Sequence, residues 1–183
     1  ANSLLWQKVN SGAMPQNNTA LPQSQIDLIA LWINEGALEF PAVVEKTYVP
    51  DDNFEQALID LGYDDALDDS VLTANISGVT YLNVSNDSIS DLTGIENFTA
   101  LTELHCSDNQ LTSLDVSSNT ALTFLNCGSN PLDSLDVSSN TALTTLHCFY
   151  NQLTSLDVNS NTALTQLNCG DNQLTSLDVS TNA

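Results

Sequence analysis

The chain has 183 residues, with 23 acidic side chains against two basic ones (Lys8 and Lys46) and no arginine, for a formal charge of −21. Without cations to neutralise phosphates, nucleic-acid binding is excluded, and an anionic membrane surface is argued against on the same ground. No apolar run approaches the ~20 residues of a membrane-spanning helix, and 42% hydrophobic residues mark a folded, self-repelling protein rather than a disordered one. The chain opens at Ala1 with neither an initiator Met nor a signal peptide, so it is expected to be a mature form or a fragment.

Residues 1–40 share nothing with the rest. Ser3–Asn10 and Gln25–Asn34 read as two short helices; in the second, Ile26, Ile29, Ala30 and Ile33 fall on one face and Gly36 stands just past its end. The loop between them begins with Met14-Pro15. Leu5, Val9, Gly12, Met14, Pro15, Trp32, Ile33, Gly36 and Ala37 together resemble the C-terminal part of a class-I-like cytochrome c domain. That resemblance puts Met14 at the axial haem-ligand position, where a weakly donating thioether raises the iron potential. The covalent attachment motif C-x-x-C-H is absent, so no haem and no other cofactor is expected in this chain. Two origins stay open: a haem domain whose front half is missing, or helices that merely cover the repeats of residues 79–183, with Met14 packed on Trp6 or Trp32.

Residues 41–50 read as a linker and 51–78 as a cap. After Asp51 or Asp52 as N-cap, Phe54, Ala57, Leu58 and Leu61 recur at helical spacing and Gly62 stops the helix. Val71-Leu72-Thr73 and Ile76 then lead into residues 79–183, where the sequence repeats. LTELHCSDNQLTSLDVSSNTA recurs with a period of 21 from Leu101, Leu122, Leu143 and Leu164, and Val79–Ala100 is a 22-residue version. Cys106, Cys127, Cys148 and Cys169 fill one column and Asn109, Asn130, Asn151 and Asn172 another.

In L-x-x-L-x-C the second Leu and the Cys are two apart and so point to the same side of a short strand. One coil cannot bury its apolar side; stacked coils can, as a solenoid with strands ~4.8 Å apart in a parallel sheet. The return half, L-D-V, also alternates and is expected to be extended, which gives a thin cross-section. With L-x-x-L-x-(L/C)-x-x-N-x-L in every unit, the chain resembles bacterial leucine-rich-repeat proteins, and Val79–Ala100 is similar to internalin-type repeats. The resemblance implies a mainly β, α/β-type solenoid. It is a right-handed coil with a parallel sheet, a helical N-terminal cap and, in front of it, the two short helices.

The 21-residue spacing places the thiols inside the stack as small hydrophobes. Parallel Cβ vectors suit a disulfide poorly, and a linear column does not converge on zinc. Asp115, Asp136, Asp157 and Asp178 form a ladder of like charges, expected to raise some of their pKa values; it reads as a solvated acidic face, with weak Ca²⁺ or Mg²⁺ association as the alternative. No metal centre, nucleophile–base arrangement or phosphate loop appears, and no enzyme is expected. Outward positions of the strands carry Tyr81, His105, Phe124, His147, Phe149 and Tyr150, the candidate ligand patch, against the plainer reading of ordinary wet surface. The last unit stops at Ala183 without a cap, leaving Leu164, Leu167, Cys169, Leu174 and Leu177 at an open end. Either the natural protein continues, or this end pairs with a second copy as a homodimer. The function expected is a non-enzymatic extracellular or cell-surface module that binds or adheres to a protein or glycan of unknown identity. The alternative is a truncated electron-transfer protein, cytochrome c-like, with the repeat as its docking element.

Overall fold

A computed structural model describes residues 22–27 and 44–183. The chain divides into two compact units, Ala1–Val44 and Glu45–Ala183. In the first, residues 23–27 are helical, with Gln23 Nε2 donating to Asp27 Oδ1 at 2.8 Å. Met14, Trp6, Trp32, the helix expected at 3–10 and the remainder of the one at 25–34 lie outside the described residues. None of the described helices is long and apolar enough to cross a membrane.

The second unit opens with a cap. Residues 46–48, expected in the linker, form strand β1 (Lys46–Tyr48), which pairs antiparallel with β2 (Ser70–Leu72). Between them lies helix α1 (Asp52–Asp60), capped by Asp51, whose carboxylate accepts the N–H groups of Asn53 and Phe54. The same carboxylate accepts from the N–H groups of Ser90 and Asp91 and the Ser90 hydroxyl, at 2.6–3.0 Å, so one side chain ties the cap helix to the first coil. Burial works against its charge, but these hydrogen bonds outweigh that and hold the Asp51 pKa below its ordinary value. Gly94 completes the junction: its φ is +108°, and a Cβ there would meet the Tyr48 carbonyl at 2.9 Å. A single turn, α2 (Thr73–Ile76), follows β2.

The repeats form one parallel sheet in chain order: β3 (Tyr81–Asn83), β4 (Glu103–His105), β5 (Phe124–Asn126), β6 (Thr145–His147) and β7 (Gln166–Asn168). Register follows the repeat, Leu82 against Leu104, Leu125, Leu146 and Leu167. The return halves of the 21-residue coils hold no helix, only an isolated parallel bridge between Asp115 and Asp136, and that of the first coil carries a single 3-10 turn at Ile95–Asn97. The core is therefore a set of columns: Leu104–Leu125–Leu146, Cys106–Cys127–Cys148, Leu111–Leu132–Leu153 and Val116–Val137–Val158, all fully buried. Each such side chain contributes roughly 1.5–3 kcal/mol of burial.

Buried asparagines satisfy the backbone where the coil turns. Asn130 Nδ2 donates to the carbonyls of Cys106, Cys127 and Gly128, and its Oδ1 accepts from Leu111 N at 3.0 Å. The reach is thus back to the preceding coil. A second buried column, Asn119, Asn140 and Asn161, closes the opposite corner; Asn140 Nδ2 donates to Val116 and Asn119 carbonyls at 2.9 Å.

At the end of the solenoid, Leu177 and Val179 are 38% and 50% exposed, while Leu167, Cys169 and Leu174 are half-buried. Leu164, expected at this open end, is instead covered, because the last residues fold back over it. Ala183 N donates to the Leu164 carbonyl at 3.1 Å.

Candidate functional site

Strand pleating sends Leu82, Leu104, Leu125 and Leu146 inward and the residues on either side of each outward, which creates two outward columns on the sheet. One runs Tyr81, Glu103, Phe124, Thr145; the other Asn83, His105, Asn126, His147. Rings occupy the first column in β3 and β5 and the second in β4 and β6. They therefore interleave across the stack. Tyr81 and His105 lie 5.2 Å apart between ring centroids, His105 stacks on Phe124 at 4.6 Å, and Phe124 meets His147 edge-on at 5.5 Å. The row continues past β6 through Phe149 at 6.5 Å and Tyr150 at a further 5.8 Å. All six candidate residues come together as one unbroken row.

The turn after β6 is built for its two rings. A Cβ on Gly128, one coil earlier, would come within 2.7 Å of the Phe149 ring, so this glycine gives the ring its seat. Sequence reading passed over Gly128, although a glycine one period before a phenylalanine is the available signal. Tyr150 has φ +49°, in a column whose other members, Asn86, Asp108, Ser129 and Asp171, share the left-handed conformation and suit it. A bulky ring is out of place there, and strain of this kind marks functional positions. Tyr150 is also 61% exposed.

Polar groups border the row. Glu103 Oε2 lies 3.9 Å from His105 Nε2, a nitrogen that is buried yet makes no hydrogen bond. Behind the sheet the four thiols are unpaired, and burial pushes Cys106 and Cys148 up to about 12 and Cys127 well above its ordinary value. The three buried thiols are packing groups, not nucleophiles.

The aspartate ladder differs from expectation. Asp115, Asp136, Asp157 and Asp178 each accept the N–H of the residue two further on at 2.8–2.9 Å. Hydrogen bonds from the hydroxyl and N–H of Ser117 and of Ser138 lower the pKa values of Asp115 and Asp136, and the N–H and hydroxyl of Ser180 lower that of Asp178. Turn capping dominates over like-charge crowding, because each carboxylate is well solvated and its nearest partner is a local donor. Asp115, Asp136 and Asp157 border a shallow groove of about 610 Å³ on the return face, with serines between them. Among the described residues no three His, Cys, Asp or Glu side chains are grouped to hold a metal ion.

Columns of Leu, Cys and Asn at this period, with a parallel sheet on one side and an extended return, decide the type of repeat. The repeat is a leucine-rich repeat similar to those of internalins. A family model for leucine-rich repeats in two copies matches residues 99–140. Internalin J of Listeria monocytogenes is 45% identical over 72 residues, 39% of this chain and 8% of that protein. The solved functional domain of InlJ from Listeria monocytogenes, described as including a cysteine ladder, superposes with a TM-score of 0.69 at 44% identity, over 75% of this chain and 31% of that one. The internalin InlF from the same species shares the fold, with a TM-score of 0.56 at 21% identity, over 73% of this chain and 46% of that one. The chain thus spans a small part of the curated relative and about a third of the solved InlJ domain.

Proposed function

We propose that this internalin-like solenoid is a non-enzymatic binding module, extracellular or on a cell surface, which takes a protein ligand on the aromatic row of its sheet. The row from Tyr81 to Tyr150 carries this reading. Aromatic side chains supply large contact area at small entropic cost and are the usual anchors of protein interfaces. Support comes also from the strained, exposed Tyr150 and from Gly128, which seats the neighbouring ring. The three buried thiols pack in the core and the return-face aspartates cap turns, which suits a scaffold better than a catalyst.

The test is a screen of the whole chain on protein and glycan arrays, beside a Phe124→Ser/Phe149→Ser variant and an Asp115→Asn/Asp136→Asn variant. The expected outcome is protein ligands retained by the return-face variant and lost by the ring variant. Ligands that bind both variants as well as the parent chain would refute the sheet face as the binding surface, and hits confined to glycans would refute a protein ligand.

A further inference from the structure

We infer that the aromatic row receives a lysine- or arginine-bearing segment of its partner protein, with one cation seated at each end of the row on a tyrosine–carboxylate pair. This rests on the sheet face being the ligand surface and names the chemistry of what it takes. At one end Tyr81, 51% exposed, stands beside Glu103 in the sheet register. At the other, Tyr150 N donates to the Gly170 carbonyl at 3.0 Å, which sets Tyr150 next to Asp171 in the following coil. Tyr150 and Asp171 have matching φ values of +49° and +53°, so their side chains leave equivalent turns in the same sense. The inner rings pack on one another and form an apolar ridge, whereas the two tyrosines are the row's most exposed rings.

Charge selects the occupant. Beyond Lys46 the sequence holds no lysine or arginine, so none within the repeats competes for these rings and carboxylates; the basic group nearest Glu103 is the His105 imidazole at 3.9 Å. An ammonium or guanidinium group is drawn to an aromatic face, and a carboxylate beside that face adds Coulomb attraction. An acidic surface is repelled by a chain of net charge −21, and a neutral one gains nothing from it. Three strand steps separate β3 from β6, about 14 Å at ~4.8 Å each, and Tyr150 lies past the end of β6 at His147, so the two ends stand further apart than that. An extended chain rising roughly 3.3–3.6 Å per residue needs about four residues for the strand steps alone and about six to reach Tyr150 as well. A partner strand with basic residues about six positions apart fits both ends.

The probe is a twelve-residue peptide of threonine, valine and serine with two lysines six positions apart, titrated calorimetrically into the full chain. The same peptide with both lysines acetylated, and chitohexaose as a neutral sugar, are titrated in parallel. Tyr150→Ser and Asp171→Asn are each expected to weaken the lysine peptide about ten-fold, and acetylation by at least as much. Asp136→Asn, which removes the same charge from the return face, is expected to change it less than about two-fold. Thermal melts verify that each variant is folded. Equal affinity for the parent chain and Tyr150→Ser, equal losses in Asp171→Asn and Asp136→Asn, or no binding of the lysine peptide would each overturn the inference. If the acetylated peptide or the sugar binds as tightly and Tyr150→Ser abolishes it, the sheet face stands as ligand surface and the cationic class fails.

Discussion

At the residue scale, Tyr150 sets binding against stability. A left-handed φ costs a non-glycine residue roughly 1–2 kcal/mol, and less for Asn, whose short side chain bonds locally. Tyr150→Asn is expected to stabilise the protein by about 1 kcal/mol, seen as a rise of a few degrees in the melting temperature. A fall instead would mean that the Phe149–Tyr150 ring contact outweighs the backbone strain. Gly128→Ala acts on the neighbouring ring: the added methyl displaces Phe149, and the ring-current shifts of its NMR signals are expected to change while those of Tyr81 do not. The two asparagine columns differ in what they satisfy. Asn130 uses both its amide nitrogen and its oxygen, whereas the Asn140 oxygen is buried without a partner. Asn130→Ala is therefore expected to cost about 1 kcal/mol more than Asn140→Ala in urea denaturation. The Asn109 column was legible as turn chemistry, since Asn follows the strand at a fixed offset. The Asn119 column was not, because Ser and Thr surround it and give no sign of which polar residue turns inward.

At the element scale, the cap depends on Asp51. With its pKa held below the unfolded value of about 3.9, its ionised form is worth more in the folded state than in the unfolded one. That stability is present above pH ~4 and disappears as pH falls through the lower folded value. Asp51→Asn is expected to destabilise the protein at neutral pH and to flatten the loss of stability as pH falls below about 4. An acid limb as steep as the parent's would assign the dependence to other carboxylates. Helix α1 was legible from Asp51, its apolar spacing and Gly62. Strand β1 was not: three residues of strand carry too short an alternation to register, and their partner lies more than twenty residues away. The aspartate ladder misled for a related reason. Sequence spacing gives the distance between like charges but not the backbone donor that each carboxylate turns back to accept.

At the scale of the whole molecule, one period fixes both the interior and the face. Thiols, leucines and asparagines recur at 21 residues and stack, so the core was legible as columns. That six rings form one row was legible only in part, because continuity depends on Tyr81 and Phe124 in one column alternating with His105 and His147 in the next. The repeats carry eleven acidic side chains and no lysine or arginine, so the solenoid repels itself. The melting temperature is therefore expected to rise as sodium chloride is raised from about 0.01 M to about 0.3 M, and a fall would indicate that local ion pairs dominate. Hydroxyl-radical footprinting of the native chain, read residue by residue by mass spectrometry, tests the stacking most directly. Tyr81 and Tyr150 are expected to oxidise quickly, Cys169 more slowly, and Cys106, Cys127 and Cys148 to stay protected in spite of the high intrinsic reactivity of sulfur. Oxidation of those three thiols as fast as that of the two tyrosines would contradict it.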